Sequence, residues 1–178
     1  MPALPPELIN QVSGLVAQYI TAQRERYAPA AVPLSALQRS ALQGFFTAEV
    51  LDNTRVLILR GERVANPEFY PLLQSYGLVD LPDQSAMDAI TYLDTVVSHV
   101  NFTDGLLFHE LVHVEQYRQL GIIRFADLYV RGFLNGGGYF GIPLERNAYL
   151  LGNQYEANSA QRFSVAEDVA RWTGEGRF

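Results

Sequence analysis

Residues 108–116 read Phe-His-Glu-Leu-Val-His-Val-Glu-Gln, and they dictate more about the fold than any other part of the chain. His109 and His113 stand four apart in a segment whose apolar residues, Leu107, Leu111 and Val114, have helical spacing. On an α-helix such residues lie one turn above each other, so the two imidazoles project from one face. The apolar stripe lies on an adjacent face, which lets the helix bury one side and turn its histidines into a cleft. Two imidazoles held this way can share one metal ion, and zinc accepts nitrogen ligands in a roughly tetrahedral shell. Glu110 directly follows the first ligand and is placed to reach a water at the ion rather than the ion itself. It is therefore the candidate general base of a hydrolytic metal site.

The rest of the chain bounds what can surround that helix. At 178 residues it suits a single domain, 1–178, with a real core. Its 48% apolar and 18% charged residues are those of an ordinary globular protein. No apolar run is long enough for a membrane span. The start, Met1-Pro2-Ala3-Leu4-Pro5-Pro6-Glu7, lacks the basic and apolar regions of a secretory signal, so a cytoplasmic location with no membrane partner is expected. With no cysteine, a bound metal must use His, Glu or Asp. A net charge of −6 and scattered arginines, with no lysine at all, argue against a nucleic-acid partner.

Taken in order, Pro5-Pro6 opens an amphipathic helix to about Arg26, followed by a proline-punctuated linker to Pro33. Ser35 and Gln38 fit a capping box that opens a helix to about Phe46. Thr54–Leu59 and Ala89–Val97 read as strands, and with the run Ala48–Val50 they could form a small sheet beside the motif helix. Residues 66–84 carry three prolines and read as irregular. Thr103 or Asp104 caps the motif helix, Gly121 stops it, and a further helix covers about Ile123–Leu134. The glycine-rich run 135–141 lacks a phosphate-loop pattern and reads as a flexible loop near the cleft, with a tight connection as the alternative. Helices over about Leu144–Arg162 and Val165–Trp172 complete an α+β, mainly helical domain, with the motif-bearing core at 90–160.

A catalytic zinc site needs a third protein ligand. His99 precedes the motif by ten residues and no histidine follows His113, so the ligand must be a carboxylate. Glu145, at the first turn of a predicted helix, is the expected third ligand. Ala148 behind it would allow that helix to pack closely, and Tyr149 shares its face. Asp127 is the rival, and Glu156 lies roughly 16 Å further along the helix than Glu145.

His109-Glu110-Leu111-Val112-His113 followed by a helix bearing Glu145 resembles the gluzincin branch of zinc peptidases. Together with Pro143-Leu144-Glu145-Arg146-Asn147-Ala148-Tyr149, the motif also resembles a bacterial family of metallopeptidase-like domains, some of them in contractile injection systems. The resemblance covers about Ile90–Tyr155. It implies a zincin-like fold and a zinc-dependent peptidase or amide hydrolase acting on a peptide or protein substrate. The oxyanion candidates are Tyr149, Tyr139 and His99. Gluzincins often carry an Asp four residues after the third ligand as partner of a ligand histidine; here that position is Tyr149. The alternative expectation is a metal-binding interaction domain that uses the same scaffold without turnover.

Overall fold

A computed structural model describes residues 5–178; Met1–Leu4, part of the N-terminal stretch read above, lie outside the described residues. The architecture is α+β and mainly helical, with one long helix through its centre. The elements are α1 (Pro6–Tyr27), β1 (Val32–Pro33), α2 (Ala36–Leu42), α3 (Ala48–Asn53), β2 (Arg55–Ile58) and α4 (Tyr70–Ser75). They are followed by β3 (Ala89–Tyr92), β4 (Thr95–Ser98), α5 (Asp104–Gly136), α6 (Pro143–Ala157) and α7 (Val165–Gly174). No helix among the described residues is long and apolar enough to cross a membrane.

The four strands form one sheet in the order β1-β2-β4-β3, in which only β2 and β4 run parallel. All four residues of β4 are buried, as a central strand covered on both faces requires. The sheet differs from expectation in two respects. Ala48–Val50 is helical, because the Thr47 side chain accepts the Val50 N–H and caps a short helix. Ala89–Val97 is not one strand but a hairpin that turns at Leu93-Asp94, with Leu93 at φ 59°. The turn is held from outside: Arg24 of α1 grips the Asp94 carboxylate at 2.7 and 2.9 Å.

In α5 the Thr103 hydroxyl accepts the Leu106 N–H, and Asp104 lies in the first turn against the positive end of the dipole. Residues 110–117 are all buried, so the motif turn lies inside the protein rather than on its skin. One core cluster packs Leu107, Phe108, Leu111 and Val112 against β2, β4, α6 and α7. A second packs Tyr117, Phe125 and Phe133 against α1, β3 and the start of α6. At Gly121 the backbone takes φ 72° and ψ 159°, and the helix resumes in a new direction. The glycine expected to stop the helix thus divides it into two arms. Gly132 on the second arm brings that arm against Ile142 and Pro143, where a Cβ would sit 2.6 Å from the proline ring.

The run 135–141 is a tight connection rather than a flexible loop. Gly136 and Gly141 meet backbone to backbone where any side chain would collide, and Tyr139–Gly141 forms a single 3-10 turn. Three boundaries also shift. α2 ends at Leu42, before Gly44 at φ 88°. α6 ends at Ala157, where the Asn158 side chain accepts the Ala160 N–H. α4 forms inside the stretch read as irregular, with Pro71 in its first turn, where proline is tolerated.

Candidate metal centre

The first arm of α5 and the first turn of α6 bring three donor atoms together. His109 Nε2 and His113 Nε2 are 3.2 Å apart, and Glu145 Oε2 lies 3.5 Å from the first and 3.3 Å from the second. Ligands held at about 2.0–2.1 Å in a tetrahedral shell are themselves separated by about 3.3–3.5 Å. The triangle therefore has the dimensions of three corners of such a shell. Glu145 Oε2 is buried and accepts no hydrogen bond, although its neighbour Oε1 accepts one from the Tyr129 hydroxyl at 3.1 Å. A buried carboxylate oxygen without a donor is costly unless a cation completes it. Spacing, donor chemistry and the orphaned oxygen all fit a metal ion. Among the described residues, this group consists of those three alone.

The electrostatics are those of a site that holds positive charge. Burial opposes charging of His113, but the charge of Glu145, followed by that of Glu110 and the contact with Gln116, outweighs it and raises its pKa to about 9. Burial likewise opposes the Glu145 carboxylate, yet His113 and His109 hold its pKa far below the usual carboxylate range.

Further contacts fix the ligands. His113 Nδ1 donates to Gln116 Oε1 at 2.9 Å, which leaves Nε2 pointing into the triangle. The Gln116 amide in turn donates to the Leu144 carbonyl and to Asn147 Oδ1, both at 3.0 Å, and Asn147 donates to Asp168 at 2.9 Å. This buried chain ties the motif helix to α6 and α7. The partner of His113 thus comes from its own helix. Glu110 is buried beside the triangle, and Thr91 of edge strand β3 donates to its carboxylate at 2.7 Å. Glu115, also buried, is paired with Arg118.

Tyr149 lies over His109, ring centroids 4.6 Å apart, and is 42% exposed at the rim. Burial and the Glu145 charge push its pKa up. Tyr139 lines the same cavity as the donor triangle, and burial keeps its phenol protonated. His99 is elsewhere engaged: Nε2 accepts the Val64 N–H at 3.0 Å and Nδ1 meets the Met87 carbonyl at 2.6 Å. Asp127 faces away, paired with Arg131 and Ser13, and Glu156 abuts Gly105 at the N-terminal start of α5. Gln116, Thr91 and Tyr129 were missed as site residues. Gln116 sits three residues after His113 and was visible from helical spacing, but the other two reach the site only through the tertiary fold. A helix-borne nitrogen–oxygen donor set, in a mainly helical α+β domain, is the class of site the geometry defines. Comparison with protein-family models, curated proteins and solved structures finds no match to this chain.

Proposed function

We propose that this protein is a zinc-dependent hydrolase of peptide or related amide bonds, held to its metal by His109, His113 and Glu145. The observation that carries the reading is the donor triangle: three tetrahedral corners, one a buried oxygen with no other partner, and no fourth His, Asp or Glu in the group. A three-ligand set leaves a position open, as catalysis requires and a closed structural site does not. That distinction favours turnover over a purely metal-binding interaction domain. The set would also suit ferrous iron. Glu110, buried beside it and oriented by Thr91, favours hydrolysis over oxygen chemistry.

Zinc, when bound, supplies a Lewis acid for the scissile carbonyl and makes water acidic enough to attack at neutral pH. Glu110 takes the proton from the attacking water and delivers it to the leaving nitrogen, so that amine rather than amide anion departs. The protonated hydroxyls of Tyr149 or Tyr139 donate to the oxygen that gains charge as the carbonyl becomes tetrahedral. The gluzincin-like resemblance of the motif agrees with this assignment of roles.

Elemental analysis of the wild type beside Glu145→Ala, Asp127→Ala and Glu110→Gln tests the reading, paired with a peptide-hydrolysis screen. About one zinc per chain is expected in wild type, Asp127→Ala and Glu110→Gln, and much less in Glu145→Ala. Glu110→Gln should lose hydrolysis by roughly a hundredfold or more while keeping zinc. Undiminished turnover in that variant would remove Glu110 from the mechanism, and a chain that takes up no zinc would sink the proposal.

A further inference from the structure

The cavity that begins at the donor triangle does not end there. It runs inward between α1 and the second arm of α5, beneath the segment that carries α4, and encloses about 140 Å³. Its walls extend from Val12 to Ile20 on one helix and from Phe125 to Leu134 on the other, stretches that rise about 12–14 Å. The space is therefore elongated.

Its charged and ionisable donors gather at one end, and the other polar side chains of the lining, apart from tyrosines, are Gln84 and Thr91. The hydroxyls of Tyr19 and Tyr70 donate to the carbonyls of Ala65 and Pro82, both at 3.0 Å. Those of Tyr92, Tyr117 and Tyr129 reach Gln84, the Thr91 carbonyl and Glu145. The hydroxyls of these five wall tyrosines are thus engaged by protein groups, and their rings make up much of the wall. His109, Glu110, His113 and Glu145 meet at the mouth, with Tyr139 also in the lining. A dry apolar cavity of about 150 Å³ is enough to bind benzene.

We propose that this chamber receives an unbroken apolar substituent of about six to eight carbons, carried on the substrate beside the bond whose carbonyl meets the donor triangle. The inference deepens the hydrolase reading and rests on it for the chemistry at the mouth, but the chamber itself needs no metal. The recognised chemistry is hydrocarbon without polar atoms. An acyl chain and a large amino-acid side chain both offer it.

Calorimetric titration of the zinc-loaded protein with hydroxamic acids bearing straight chains of two to ten carbons, and with 3-phenylpropionohydroxamic acid, tests this. Affinity should rise about fourfold per methylene, the equivalent of about 0.8 kcal/mol, and level off at six to eight carbons. A phenyl compound that outbinds the straight chain of equal carbon count identifies a side chain as the occupant; the reverse order identifies an acyl chain; both support the chamber. Straight-chain alcohols titrated into the metal-free protein should show the same dependence on length. If the alcohols do so and no hydroxamate binds, the chamber stands and the metal reading fails. Affinity that is flat with chain length in both series overturns the chamber. Val16→Phe and Val130→Phe each place volume inside it and should shorten the plateau by several carbons with zinc content unchanged. A plateau unmoved in whichever of the two folds also overturns it.

Discussion

Gln116 gives the sharpest test of how single residues build this site. Its oxygen orients His113, and its nitrogen satisfies two buried acceptors on α6. Gln116→Leu leaves the imidazole N–H and Asn147 Oδ1 without partners, and takes one donor from the Leu144 carbonyl, at nearly unchanged volume. Each orphaned group costs about 1–3 kcal/mol, and loss of a ligand's hydrogen-bond partner weakens metal binding about 10–100-fold. Gln116→Glu restores the acceptor for His113 but not the donor to α6, so it should recover zinc affinity and leave stability low. Zinc titration and urea unfolding of the two variants separate these roles; equal zinc affinity in both would show that Gln116 only glues helices. The residues of the donor triangle are legible in the sequence because the chemistry is local. His109, Glu110 and His113 follow from helical spacing alone, and Glu145 from the need for one carboxylate at a helix start. Tyr129 was not legible: it reaches Glu145 across a bend whose direction no pattern of residues announces.

That bend belongs to the scale of elements. Gly121 ends the straight helix as its residue type predicts, but its φ of 72° and ψ of 159° redirect the chain instead of releasing it. An added Cβ there meets nothing within 4 Å, so space is not the constraint; the backbone conformation is one that essentially only glycine adopts. Gly121→Ala should destabilise the protein by about 1–3 kcal/mol and weaken zinc binding by shifting Tyr129. Gly14, in the middle of α1, also has open space around its would-be Cβ but lies in ordinary helix. Gly14→Ala should stabilise by about 0.5–1 kcal/mol. Urea midpoints that move in the same direction for both would refute the conformational account. The strands were harder to place for a related reason. The hairpin turn at Leu93 carries no glycine or asparagine, and Arg24, from far along the chain, holds it. Ala48–Val50 was mistaken for a strand because an apolar run this short does not distinguish strand from helix, and the Thr47 cap decides it.

At the scale of the whole molecule, a metal held by the donor triangle would couple folding to pH. In the metal-free protein the pKa of His113 is raised from 6.5 to about 9. Its contribution to stability is therefore fully present below about pH 6.5 and is lost as the pH rises through about 9. Glu145 has the opposite sign. Its pKa is depressed, so its contribution is present above its unfolded value near 4.5 and is lost as the pH falls below it. The metal-free protein should be most stable between these limits and should soften toward pH 9. Zinc must displace the His113 proton, so its apparent affinity should climb on the order of a hundredfold between pH 6 and pH 8.5. Free zinc at about a hundred times its dissociation constant adds about 2.7 kcal/mol, which for a domain of this size raises the melting temperature by roughly 5–10 °C. At one fixed, subsaturating zinc concentration, that rise should be small at pH 6 and several times larger at pH 8.5. Thermal melts with and without zinc at the two pH values measure it directly. An equal shift at both would mean that no proton is displaced, and that His113 is not where the metal binds.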